Sequence, residues 1–156
     1  MSDTTYQPKV YRDLGGDRQV IAAGGQFNMR GTATKVQPSP TVKTVANTMT
    51  IAELLTGIIT ATPTATGATA AYTLPTGALV EAGVTMDVDD SFDWVIINSA
   101  LAAADTITIT ASDGHTVVGG LIVQSLHVTT GGITGYSATY RTRKTAADTY
   151  VSYRIA

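Results

Sequence analysis

The chain contains no cysteine among its 156 residues. That excludes a disulfide framework and any thiolate metal site, and it leaves the compartment open. Charge is also scarce: 14% of residues are Asp, Glu, Lys or Arg, against roughly 25% in an average soluble protein. Positive charge is missing from a whole stretch, because residues 44–140 contain neither Lys nor Arg. No apolar run approaches the length of a transmembrane helix, so no membrane partner is expected. The opening "MSDTTYQPKVYRD" is polar and has no apolar signal core, which argues against secretion by that route.

Threonine and alanine take the place of charge, with 28 and 21 residues. Together with 15 glycines they must dress much of the surface. A neutral Thr-rich β surface accounts for this, and so does burial against other subunits, since interface cores are depleted of charge. The charges that remain are segregated. Residues 1–43 carry net +3, residues 44–140 net −8, and residues 141–156 net +3. Such separation concerns association rather than fold. The basic ends can bind the acidic body within one chain or in a neighbouring copy.

Residues 1–45 show no helical periodicity. Gly15–Gly16 and Gly24–Gly25 permit sharp redirection, and Pro38 and Pro40 favour extended backbone. This segment reads as an extended N-terminal arm with short strands near Gln19–Ala23 and Gln26–Thr32. Its apolar residues, among them Val20 and Ile21, suggest that packing orders it.

The body is predicted to span 46–156. "TIAELLTG" (50–57) has the form of a capping box closed by Gly57, which predicts one short helix. "PTGALVEAG" (75–83) predicts a helical turn ending at Gly83. The rest is β. "IITATPTATGATAAYTLP" (58–75) has strand-like ends and a loop-like middle. "SFDWVIIN" (91–98) reads as a buried strand, and "TITIT" (106–110) alternates strictly. "SDGH" (112–115) holds an Asp-Gly turn pair. "GYSATYRTR" and "TYVSYRIA" form a final strand pair joined by "KTAAD". Seven or eight short strands at this spacing predict a mainly β fold: a compact antiparallel β-sandwich, jelly roll or barrel with one or two short helices.

The chemical motifs are weak. Asp87, Asp89, Asp90 and Asp93 begin like a calcium loop, but position six is Phe92 and position twelve is Asn98, so the EF-hand pattern fails. His115 and His127 are twelve residues apart, which matches no zinc motif. No metal or other cofactor is expected. A Ser-His-Asp set assembles through space and stays open as an alternative, with His115 its natural base. "GYSAT" lacks the second glycine of a nucleophile elbow. There is no phosphate loop, and a sequence pI near 5.5 argues against a nucleic-acid partner.

The closing hairpin remains. Thr139, Arg141 and Arg143 share one face of its first strand. In the second strand Val151, Tyr153 and Ile155 share one face, predicted to join the core, while Tyr150, Ser152 and Arg154 share the other. Arg and Tyr are typical interface anchors. Arg141, Arg143 and Arg154 are therefore expected to meet Asp87, Asp89, Asp90 and Asp93 of another copy.

The segments "VYRDLGGDRQVIAAGGQF", "AYTLPTGALVEAG", "DTITITASDGHTVVGG" and "RTRKTAADTYVSYRI" give the chain a sequence style that resembles head decoration (cement) proteins of tailed bacteriophages and related fibre-like virion β modules. The resemblance implies no enzymatic activity. It implies a place on the outer surface of the capsid after synthesis in the host cytoplasm, assembly as a homotrimer, and the major capsid protein as partner. On that reading Tyr11, Arg12, Arg18, Phe27 and Arg30 of the arm contact the shell. A tail or head fibre, or a glycan-binding receptor module, is the alternative that the same style allows.

Overall fold

The computed structural model describes residues 34, 36–63, 69–100, 105–125 and 136–156, with the backbone of four short strands at 10–12, 19–21, 128–129 and 132–133. The chain divides into two units, Met1–Val36 and Gln37–Ala156. In the first, β1 (Val10–Arg12) pairs antiparallel with β2 (Gln19–Ile21). The predicted strand at Gln26–Thr32 lies outside the described residues.

The second unit begins earlier than residue 46. Its first strand, β3 (Thr41–Lys43), runs parallel to β4 (Ile58–Ala61), and α1 (Ile51–Leu55) lies between them in the chain. Lys43 turns inward, and its ammonium donates to Glu53 Oε1 at 2.7 Å. Helix α1 starts where the capping box requires. Thr50 Oγ1 accepts from the Glu53 N–H at 3.2 Å, and Glu53 Oε2 accepts from the Thr50 N–H at 2.7 Å. Gly57 ends the turn at φ +79°, a conformation that costs glycine little.

After β4 the chain crosses to β5 (Thr69–Thr73), then α2 (Gly77–Gly83), then β6 (Ser91–Asn98) and β7 (Thr106–Thr110). Next come β8 (His115–Val118), β9 (Ile122–Gln124), β10 (Val128–Thr129), β11 (Gly132–Ile133), β12 (Ser137–Ala146) and β13 (Thr149–Arg154). A six-stranded sheet has the order β3-β4-β6-β12-β13-β8, and a three-stranded sheet the order β5-β7-β9. Strands β10 and β11 pair with each other.

The fold is mainly β, as the sequence predicts, but its sheets are mixed rather than antiparallel. Pairs β3–β4, β4–β6, β13–β8 and β5–β7 are parallel. Parallel neighbours need crossovers, and the segments carrying α1 and α2 provide them between β3 and β4 and between β4 and β6.

The two sheets pack in a sandwich-like manner around one core. The large sheet supplies Ile59, Trp94, Ile96 and Tyr140, the small sheet Tyr72, Ile107, Ile109 and Val123, and Met49, Leu54 and Leu74 fill between them. Trp94 stacks on Tyr140 with ring centroids 4.6 Å apart and planes 16° apart. Such a pair contributes about 0.5–1.5 kcal/mol beyond its buried area. Asn98 ties the sheets together, its Nδ2 donating to the carbonyls of Asp105 and Val123 at 3.1 Å each.

One junction positions the C-terminal hairpin. Gly77, Gly114 and the carbonyl of Asp148 meet where α2, the Ser112–His115 turn and the β12–β13 turn converge. A Cβ on Gly77 would sit 1.8 Å from the Asp148 oxygen. Gly114 and Asp148 both take positive φ, +67° and +51°.

Candidate functional site

The predicted site residues of the body fall on one sheet and its acidic loop. In the β6–β12 register Arg141 lies directly opposite Asp93. The guanidinium grips the carboxylate with two bonds, Nε to Oδ1 at 2.7 Å and Nη2 to Oδ2 at 2.8 Å. Arg143 reaches from the same strand to Asp89 Oδ1. Asp89 holds a left-handed backbone at φ +79°, which Asp tolerates better than most residues. The loop is sewn to β12: Asp89 N–H donates to the Lys144 carbonyl at 2.9 Å, and Lys144 N–H donates to the Asp90 carbonyl at 3.0 Å. Asp87 N–H donates to Asp90 Oδ2, also at 3.0 Å.

These contacts give two of the hairpin arginines acidic partners within their own chain. Arg141–Asp93 and Arg143–Asp89 close inside one chain, because strand register brings each pair face to face. Arg154 does not meet the acidic loop. Its Nη1 donates to the carbonyls of Ile122 at 2.7 Å and Gly120 at 3.3 Å. Among the described residues no cluster of three or more His, Asp or Glu has the geometry to hold a metal ion. In the arm, Tyr11 and Arg12 belong to β1, whereas Arg18, Phe27 and Arg30 lie outside the described residues.

The faces of β13 are the reverse of the expectation. Tyr150 and Ser152 are buried, while Val151 and Tyr153 are only half-buried and Ile155 is exposed. Cross-strand partners share a face, and Ser152 is opposite Thr142, whose side chain points into the core. Burial of this polar face is made tolerable by two hydrogen-bonded constellations that the sequence did not reveal.

The first is a chain of four side chains. Trp94 Nε1–H donates to Thr142 Oγ1 at 2.9 Å, and Thr142 Oγ1 lies 2.7 Å from Ser152 Oγ. Ser152 Oγ lies 2.9 Å from His115 Nε2, and His115 Nδ1 lies 3.0 Å from the Pro75 carbonyl. Pro75 can only accept, so Nδ1 carries the proton and Nε2 accepts from Ser152. Ser152 then accepts from Thr142, and every group is satisfied with the imidazole neutral. His115, Thr142, Ser152 and Trp94 have no solvent exposure. Burial lowers the His115 pKa, and the Pro75 contact only partly offsets this. The Ser152–His115 distance fits a nucleophile and its base. Here, however, the serine proton is committed to a ring that no solvent reaches.

The second constellation surrounds Lys144. Its ammonium donates to Glu81 Oε1 at 2.5 Å and to the Met86 carbonyl at 2.8 Å. Tyr150 O–H donates to Glu81 Oε2 at 2.6 Å. The Lys144 hydrogen bond and that of Tyr150 hold the Glu81 carboxyl below its ordinary pKa. Burial, helped by the nearby Glu81 charge, pushes the Tyr150 phenol well above its ordinary range. The trio ties α2 to β12 and β13. Its members are 63 and 69 residues apart in sequence, so no local motif announces them. The alternation of β12 did offer a signal: Lys144 shares a face with Ala138, Tyr140 and Thr142.

Comparison with known protein families, curated proteins and solved structures found no match to this chain.

Proposed function

We propose that this chain is a non-enzymatic structural protein of a bacteriophage virion. It binds the outside of the capsid as a homotrimer and stabilises the shell by clamping major capsid protein subunits. The observation that carries this reading is how the reactive side chains of the body are used. His115, Ser152, Lys144 and Glu81 hold strands and helices in place, and the first three are buried. The result is a body stiffened by satisfied polar contacts and poor in surface charge, which suits a protein whose task is to keep a shape. The glycan-binding alternative gains less support. Trp94, the single tryptophan, is buried under Tyr140 and offers no stacking platform to a sugar.

On this reading the segment ahead of Gln37, with its surplus of positive charge, is the adhesive part. Stabilisation follows mass action: a subunit that binds only the assembled shell contributes about 2.7 kcal/mol per site when free at a hundred times its Kd. The test is co-sedimentation with empty expanded capsids. The full chain is expected to bind and to raise the temperature of shell disruption. Deletion of residues 1–30 is expected to abolish binding while leaving the thermal transition of the body in place. Unchanged binding of the truncated chain would remove the adhesive role of that segment, and failure of the full chain to bind would remove the capsid reading.

A further inference from the structure

The six-stranded sheet has two faces with different fates. Its inward positions meet the small sheet and the two helices. Its outward positions carry Ile58, Val95, Ile97, Val151, Tyr153 and Val118, of which the first five are half-buried and Val118 is 50% exposed. A sheet with one solvated face normally alternates apolar inward and polar outward. Strands β4, β6 and β13 instead carry apolar side chains on both faces, the pattern of a sheet covered on both sides. Val151 and Tyr153 read as core in the sequence for this reason, yet among the described residues nothing is packed over them as a second layer.

Electrostatics selects what the cover is. The charged side chains at outward positions are Arg141, Arg143 and Asp93, and Asp89 of the adjoining loop closes onto Arg143. Paired inside the chain, they leave this face with no net charge. Residues 37–156 as a whole carry five basic and nine acidic groups, so most of the body repels its own copies. The outward sheet face is the part that does not. A neutral, largely apolar face can pack against the same face of neighbouring copies around a common axis without repulsion, whereas a basic or acidic partner finds no countercharge on it.

We infer that the outward face of the six-stranded sheet is the surface through which copies of this chain associate, with neighbouring copies supplying the missing layer. This deepens the trimeric reading above and rests on it for the number of copies. The charge pairs then act in assembly by neutralising the face from within rather than by bridging subunits.

The test uses the full-length chain in native mass spectrometry and sedimentation at micromolar concentration. The wild type is expected at three times its 16.2 kDa mass. Tyr153→Glu and Val95→Lys are expected at the single-chain mass with the far-ultraviolet spectrum kept. Leu79→Lys, an exposed apolar position on α2, is expected to assemble normally. A wild type at single-chain mass, or face variants that keep the assembled mass, overturns the inference. Val151→Cys would carry the only cysteine in the chain and gives a readout that does not depend on charged variants folding. Its labelling by a maleimide is expected to be slow in the assembly and to accelerate on dilution. Labelling independent of concentration overturns the inference: when fast it leaves the face open, and when slow it assigns the cover to the chain's own remaining residues. Capsid binding is scored separately. A wild-type monomer that binds shells through this face gives the face to the shell protein, which overturns self-association and leaves the capsid reading standing. An assembly that ignores capsids does the reverse.

Discussion

At the residue scale, the polar groups that matter are the ones that leave the surface. His115 is the clearest case. The hydrogen-bond chain is complete when the ring is neutral, with Nε2 accepting from Ser152 and the serine accepting from Thr142. Protonation would put a donor at Nε2 and reverse the hydroxyl chain, so that Thr142 Oγ1 accepts from both Ser152 and Trp94 and its own proton has no acceptor within the chain of side chains. The unfolded chain takes up this proton near the ordinary histidine value of about 6.5, and the folded chain only at lower pH. Unfolding therefore gains a proton below that point, and stability falls as pH drops. Urea midpoints are expected to be level from pH 8 to 7 and to decline below about pH 6.5. His115→Gln is expected to be less stable at neutral pH yet flatter between pH 7 and 5.5. An equal decline in wild type and variant would place the titration elsewhere.

At the scale of elements, what was legible in the sequence was local. The capping box at Thr50–Glu53 and the alternation of Thr106–Thr110 depend on neighbours within a few residues, and both appear where expected. Strand β6 was legible as a buried strand because its apolar run is bounded by an Asp cluster and Asn-Ser. The phase of β13 was not legible. Apolar content favours Val151, Tyr153 and Ile155 as the inner face, and only long-range partners make burial of Tyr150 and Ser152 acceptable. The parallel crossovers were hidden for the same reason, since β3 has only three residues and β5 is mostly Thr and Ala. Gly77 shows how a long-range contact can dominate an element. Helix propensity favours alanine over glycine there by up to about 1 kcal/mol. The Asp148 carbonyl nevertheless occupies the space a Cβ would need. Gly77→Ala is thus expected to destabilise by more than about 1–3 kcal/mol, the usual cost of overpacking, because the clash is with backbone. Chemical denaturation measures this, and a neutral or stabilising result would show that the three turns do not meet as described.

At the scale of the whole molecule, the segregation of charge has an explanation other than the one the sequence first suggests. Basic C-terminal strand and acidic loop are complementary, and complementarity alone does not say whether the two belong to one chain or two. Strand register decides it, because β12 lies beside β6 and places Arg141 opposite Asp93. The two assignments differ in one experiment. In Arg141→Glu, and likewise in Asp93→Lys, two like charges stand opposite each other on the sheet and the pair is lost. An exposed pair of this kind contributes little, so each single variant is expected to lose modest stability, and the double charge swap to recover most of it. If the pair crossed between subunits, mixing the two single variants would create a matched Glu–Lys contact at an interface and restore assembly. With the pair inside one chain, no mixture can repair either variant, because each folded copy carries its own mismatch. Urea midpoints of an equimolar mixture of the two single variants are therefore expected to match those of the variants measured alone, with only the double charge swap recovering stability. A mixture as stable as the double swap would move the contact to the subunit boundary, and with it the part that charge plays in holding copies together.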